Sequence, residues 1–156
     1  MAATDRDRHL NRTVASLDEV IARHGEPPWS ERLVLTDRVQ GVFIYQAPGQ
    51  GNRRHYHHGE DELWVILKGR LRWTFDDEVV DVQPGDVVFC RRGRWHQIEV
   101  IGDEPAVRFA VARPDIVHLY EPIADPETAV DPAEVPGWRG LSGATPERDP
   151  TSDERS

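Results

Sequence analysis

The chain has 156 residues, the length of one domain, with 19 Lys/Arg against 28 Asp/Glu and a net charge of −9. Its one cysteine, Cys90, excludes an intrachain disulfide framework and any cysteine-based zinc module, and fits a reducing compartment. No stretch approaches the ~20 apolar residues of a membrane span, and residues 1–12 are charged without the apolar segment of a secretory signal, so a soluble cytoplasmic protein is expected.

The charge is unevenly placed. Residues 121–156 hold nine Asp/Glu and three Arg, whereas the other 120 residues carry 19 acidic and 16 basic groups. A nearly neutral folded part with an acidic tail gives no electrostatic footprint for nucleic acid or anionic lipid, so neither is expected as a partner.

Residues 1–13 are polar and expected to be mobile. Ser16-Leu17-Asp18-Glu19 then reads as a capping box, Leu17, Val20 and Ile21 give a short apolar face, and Gly25 before Pro27-Pro28 stops the turn, which predicts a helix over 17–24. Residues 1–28 thus form an N-terminal extension with a short helix. From 29 to 120 the pattern changes to short β-rich runs, at 32–36, 39–46, 53–58, 63–67, 71–75, 79–82, 87–90, 95–101 and 106–113. They are separated by turn residues such as Pro48-Gly49, Gly69, Pro84-Gly85 and Gly102-Asp103. Short strands at near-regular spacing with no helices between them predict an all-β sandwich or barrel. Residues 121–156 are rich in Pro, Gly and acidic groups. They bury too little apolar surface to offset the entropy of ordering, so a partly disordered tail is expected, with Trp138 and Leu141 as candidate docking points.

The chemistry concentrates in Arg53-Arg54-His55-Tyr56-His57-His58-Gly59-Glu60-Asp61-Glu62. In a strand, alternate side chains share a face, so His55 and His57 point the same way, about 7 Å apart along the strand. Glu62 follows across the Gly59 turn, and His96 opens a later strand. Three nitrogens and one oxygen suit a divalent first-row metal and leave positions for substrate or O₂. Fe(II) is the expected ion, with Mn, Ni, Cu or Zn as alternatives.

These residues make the chain resemble the cupin superfamily. Its first motif, G-x5-H-x-H-x4-E-x6-G, is matched at every position by Gly49, His55, His57, Glu62 and Gly69. Its second, G-x5-P-x-G-x2-H-x3-N, is matched by Gly85, Gly93 and His96, with Arg91 and Val100 in place of the Pro and Asn. The resemblance covers about residues 29–113. It implies a double-stranded β-helix, a jelly-roll barrel, with His55, His57, Glu62 and His96 as metal ligands. Small cupins commonly pair, so a homodimer is implied as well.

Around that centre, Arg53 shares parity with His55 and His57, so in a regular strand it would point inward and grip a substrate anion. Arg54 and Tyr56 have the opposite parity, and His58 is out of phase and expected to be exposed. Trp64 and Ile66 share parity with Glu62, and Ile98 and Val100 with His96, giving an apolar wall in which Trp64 would contact substrate. Arg108 is a second candidate anion contact, although the run 106–111 is apolar on both parities and does not fix its face. Cys90 reads as a small buried hydrophobe rather than a nucleophile. The expected function is a metal-dependent cupin enzyme, an Fe(II) dioxygenase or oxygenase acting on a small anionic substrate. The alternatives are a non-oxidative lyase, decarboxylase or isomerase using Mn, Ni or Zn, with Tyr45 or Tyr56 as base if either faces inward, and a non-catalytic small-molecule-binding cupin.

Overall fold

Chain entry into the fold follows the local signals. The computed structural model describes residues 9–121. Helix α1 (Leu17–His24) is capped by Ser16, whose hydroxyl lies 3.5 Å from the Glu19 amide, and ends at Gly25 with φ +76°, whose N–H donates to Ile21 O at 2.7 Å. Residues 9–13 depart from the expected mobile start. His9 is buried with Nδ1 at 2.7 Å from Glu31, and the Asn11 side chain bonds both the N–H and the C=O of Leu35. A polar segment can be ordered when a buried acid and a strand edge offer it partners.

Ten strands follow: β1 (Trp29–Leu35), β2 (Gln40–Gln46), β3 (Gly51–Tyr56), β4 (Glu62–Lys68), β5 (Arg70–Phe75), β6 (Val79–Val82), β7 (Val87–Cys90), β8 (His96–Ile101), β9 (Ala106–Ala112) and β10 (Leu119–Tyr120). They form two five-stranded sheets, β1-β2-β9-β4-β7 and β10-β3-β8-β5-β6, and every strand pair is antiparallel. This is the expected all-β double-stranded β-helix. β1 starts three residues earlier than the β-rich run at 32–36, because Trp29 and Ser30 pair with Tyr45 and Ile44. The two-residue β10 was not anticipated.

Two apolar clusters hold the layers together. One lies between the sheets and includes Val42, Ile44, Trp64, Ile66, Leu71, Trp73, Ile98 and Val100. The other lies between α1 and the outer face of the first sheet, with Val20, Trp29, Leu33, Phe43, Tyr45 and Val107. β2 serves both by alternation, which is why all seven of its residues are buried. Gly51 is required where β3 crosses β8, since a Cβ there would lie 1.8 Å from Ile98 O.

The strand β3 is irregular at the point that matters for the site. Asn52 faces Ile98 and His55 faces His96, so three steps on β3 match two on β8. This bulge inserts one residue and breaks the simple parity between Arg53 and His55. No helix among the described residues is long and apolar enough to cross a membrane. Trp138 and Leu141 lie outside the described residues.

Candidate metal centre

Four side chains converge at one end of the barrel. His55 lies near the end of β3, His57 just beyond it, Glu62 opens β4 and His96 opens β8. Pairing of His55 with His96 across β3 and β8 sets two rings together, and the turn through Gly59 returns the chain so that Glu62 meets His57. One ligand atom from each of the four lies within 4.8 Å of the others, and none of the residues is more than 2% exposed. The ring centroids are 5.0 Å apart for His55–His57, 4.2 Å for His55–His96 and 5.3 Å for His57–His96.

The hydrogen bonds at the backs of the rings decide what the fronts present. His55 Nδ1 bonds Arg53 O at 2.7 Å, His57 Nδ1 bonds Val117 O at 2.8 Å, and His96 Nδ1 bonds Arg94 O at 3.1 Å. A carbonyl oxygen only accepts, so each Nδ1 carries a proton and each Nε2 faces inward, the atom with which a neutral ring would hold a cation. Those three Nε2 atoms and both Glu62 oxygens are buried without a hydrogen bond. His57 Nε2 and Glu62 Oε2 approach to 2.9 Å without hydrogen-bond alignment. Such a set of acceptors fits a cation, because buried polar atoms left without a partner are costly and carbonyl-anchored imidazoles are the usual second layer of a metal site.

Electrostatics agree with this reading. Burial pushes the His55 and His96 imidazoles down, His96 to about 4, so both are neutral at pH 7. Glu62 is raised by burial, and His57, although burial opposes it, is raised by the Glu62 carboxylate. Without a cation these two partners hold protons more tightly than usual. Cys90, paired with Glu62 across β4 and β7, has its thiol pushed up to about 12 by burial and stays protonated.

The remaining candidates fall in different places. Trp64 is 1% exposed and lines the interior, its ring 5.4 Å from His96 and 5.3 Å from Trp73. Arg108 also faces inward: it is fully buried and donates to Gln46 Oε1 and Asn52 Oδ1, each at 2.7 Å. Burial lowers its guanidinium to about 9, with Glu62 opposing, so it remains cationic at neutral pH. Arg53 does not follow the regular-strand expectation. Next to the bulge it is half-buried, with its guanidinium 4.2 Å above the Tyr120 ring, which itself lies 5.4 Å from His55. Tyr45 belongs to the outer cluster against Trp29, and Tyr56 packs on Trp95, so neither faces the centre as a base would have to. His58 is exposed.

Sequence reasoning missed two features. The segment 113–121 crosses the mouth of the barrel, placing Ile116 in the inner core and His118 against the other rings. Nothing in that segment except the histidine itself marks it. Gln40 is fully buried on the inward face of β2, and neither amide atom of its side chain has a hydrogen bond. A glutamine at the end of an apolar run gives no such signal.

The family model described as a cupin domain matches residues 42–112, which contain all four converging residues. An uncharacterized protein of Methanocaldococcus jannaschii is 33% identical over 64 residues, 41% of this chain and 51% of that protein, so the match spans about half of that relative's length. Among solved structures, a conserved protein with a double-stranded β-helix domain from Klebsiella pneumoniae superposes with a TM-score of 0.61 at 20% identity, over 70% of this chain and 92% of that one. A sugar phosphate isomerase of the cupin superfamily from Silicibacter pomeroyi does so with a TM-score of 0.54 at 25% identity, over 60% of this chain and 65% of that one. Two antiparallel sheets, the motif glycines and histidines at their family positions, and these matches have one common explanation: residues 42–112 of the chain are a cupin domain.

Proposed function

We propose that this protein is a metal-dependent cupin enzyme in which His55, His57, Glu62 and His96 hold a divalent first-row ion, with Fe(II)-dependent dioxygenation of a small anionic substrate as its reaction. One observation carries the metal reading. Three inward Nε2 atoms and a buried carboxylate meet with no hydrogen bond among them, while every Nδ1 proton is already used. When bound, an ion supplies Lewis acidity there, and iron adds one-electron chemistry toward dioxygen.

The chain's own groups set the conditions. Three neutral imidazoles and one carboxylate leave a divalent site with a net charge of +1, and the Arg108 guanidinium adds positive potential, so anionic ligands are favoured. Trp64, Trp73 and Phe75 exclude water beside His96, as a dioxygenase needs to protect its reactive species. Gln40 offers a donor and an acceptor to a ligand's hydroxyl or carbonyl.

The test is oxygen uptake by Fe(II)-reconstituted protein across a panel of small carboxylates and phenols. Uptake coupled to product supports dioxygenation; turnover with Mn(II), Ni(II) or Zn(II) and no oxygen uptake overturns it. That second outcome belongs to a non-oxidative isomerase or lyase, a reading favoured by the likeness to the Silicibacter sugar phosphate isomerase at 25% identity. Thermal stabilisation by a ligand without turnover would mark a binding protein instead.

A further inference from the structure

His118 lies outside every strand, between Ile116 in the inner core and the short β10. Its ring centroid is 4.7 Å from that of His55 and 4.6 Å from that of His57. The three converging imidazoles are 4.2 to 5.3 Å from one another by ring centroid, so the His118 ring packs on two of them as closely as they pack on each other, just outside the four residues whose donor atoms lie within 4.8 Å of one another. It meets His57 at 84° and His55 at 39°.

The chain holds it there at several points. Ile116 is fully buried, Val117 O accepts the Nδ1 proton of His57, and β10 pairs Leu119 with Tyr56 and Tyr120 with His55. Beyond it, the Tyr120 ring lies nearly parallel to His118 at 6.0 Å, and Arg53 covers that same tyrosine ring. The residue expected to grip a substrate anion is thus engaged in holding the segment that carries a further imidazole.

We propose, on the reading of this site as a metal centre, that His118 is an additional imidazole donor to the bound ion, delivered over the barrel mouth by residues 113–121 and displaced when a substrate binds. Four protein donors leave first-row divalent ions with open positions, since these ions accept five or six ligands as well as four. An imidazole carried on a segment secured by a two-residue strand is a natural exchangeable donor, because short ladders at a sheet edge open at low free-energy cost. Substrate entry and release of His118 with β10 are then one event, while Ile116 and Val117 O stay in place.

The test uses Co(II) alone as probe, read by its ligand-field spectrum and by competition with a chromophoric chelator. His118→Ala is expected to weaken Co(II) binding about tenfold and to change the spectrum, and millimolar imidazole is expected to restore the wild-type spectrum in that variant. His118→Gln, which retains bulk and polarity, provides the same spectral comparison if the alanine variant does not fold. Wild-type spectra and affinities in the folded variants, or a changed spectrum that imidazole leaves untouched, overturn the assignment. Failure of the metal reading looks different. There the wild-type protein takes up no more Co(II) than His57→Ala does, and the role of His118 falls with it.

Discussion

Ring orientation at the centre is set by main-chain carbonyls, so it survives most side-chain changes, but each imidazole is individually indispensable as a donor. Replacing His57 removes one Nε2 and also the neighbour that meets Glu62 at 2.9 Å. His57→Ala should therefore lose more than ~100-fold in affinity for Co(II) or Zn(II) by chelator competition, a larger loss than outer-layer changes give. Arg108 belongs to a different category. Its two terminal nitrogens satisfy the buried oxygens of Gln46 and Asn52, so Arg108→Met leaves two acceptors orphaned at roughly 1–3 kcal/mol each. The expectation is a loss of about 2–6 kcal/mol in chemical denaturation, with metal affinity changed less than in His57→Ala. A variant as stable as the parent would show that the guanidinium is not needed to complete the core.

At the scale of elements, one acid adds a polar tie between α1 and the barrel beside their apolar contact. Glu31, buried on β1, takes His9 at 2.7 Å, Arg23 at 3.0 Å and His24 at 2.5 Å. Glu31→Ala removes the carboxylate that Arg23 and the two imidazoles share, and breaking a buried arginine–carboxylate pair costs about 3–5 kcal/mol. The variant should melt earlier and be cut faster by protease around residue 25, while its metal affinity stays at the parental value, since the centre lies on the other side of the first sheet. The same element scale shows what sequence could reveal. The alternating apolar runs and turn glycines marked nine of the ten strands, and the spacing from Gly49 through His55, His57 and Glu62 to Gly69 marked the converging residues. Parity does not fix the face of Arg53, because parity counting assumes a regular ladder and the bulge between Asn52 and His55 arises from pairing with a distant strand. The two residues of β10 are too few for any periodicity, so the segment bearing His118 stayed invisible until the fold brought it across the mouth.

For the whole molecule, the buried imidazoles make stability of the metal-free protein depend on pH in a definite direction. Burial depresses His55, His96 (to about 4) and His118 (to about 3), whereas His57 and Glu62 are raised. Near pH 5 the unfolded chain protonates all four of these histidines and leaves Glu62 mostly ionised. The native state keeps three rings neutral and holds at most two protons on the His57–Glu62 pair. The unfolded state therefore binds about two more protons, and stability rises with pH by about 2–3 kcal/mol per unit between roughly pH 4.5 and 5.5, the slope falling away as the unfolded histidines lose their protons. Above pH 7 the sign reverses, because the unfolded histidines are then neutral while the native pair still retains a proton that it must release. Melting temperatures of metal-free protein should thus peak near pH 6.5–7 and fall steeply on the acid side, and His55→Gln should flatten that acid limb by about one proton. A bound ion demands deprotonated donors and adds RT ln(1 + [M]/Kd), about 2.7 kcal/mol at a hundredfold excess over Kd. The gap between metal-loaded and metal-free melting curves should accordingly be wide at pH 7 and close as the pH falls toward 5. A gap independent of pH would mean that the ion binds elsewhere, on groups that protons do not contest.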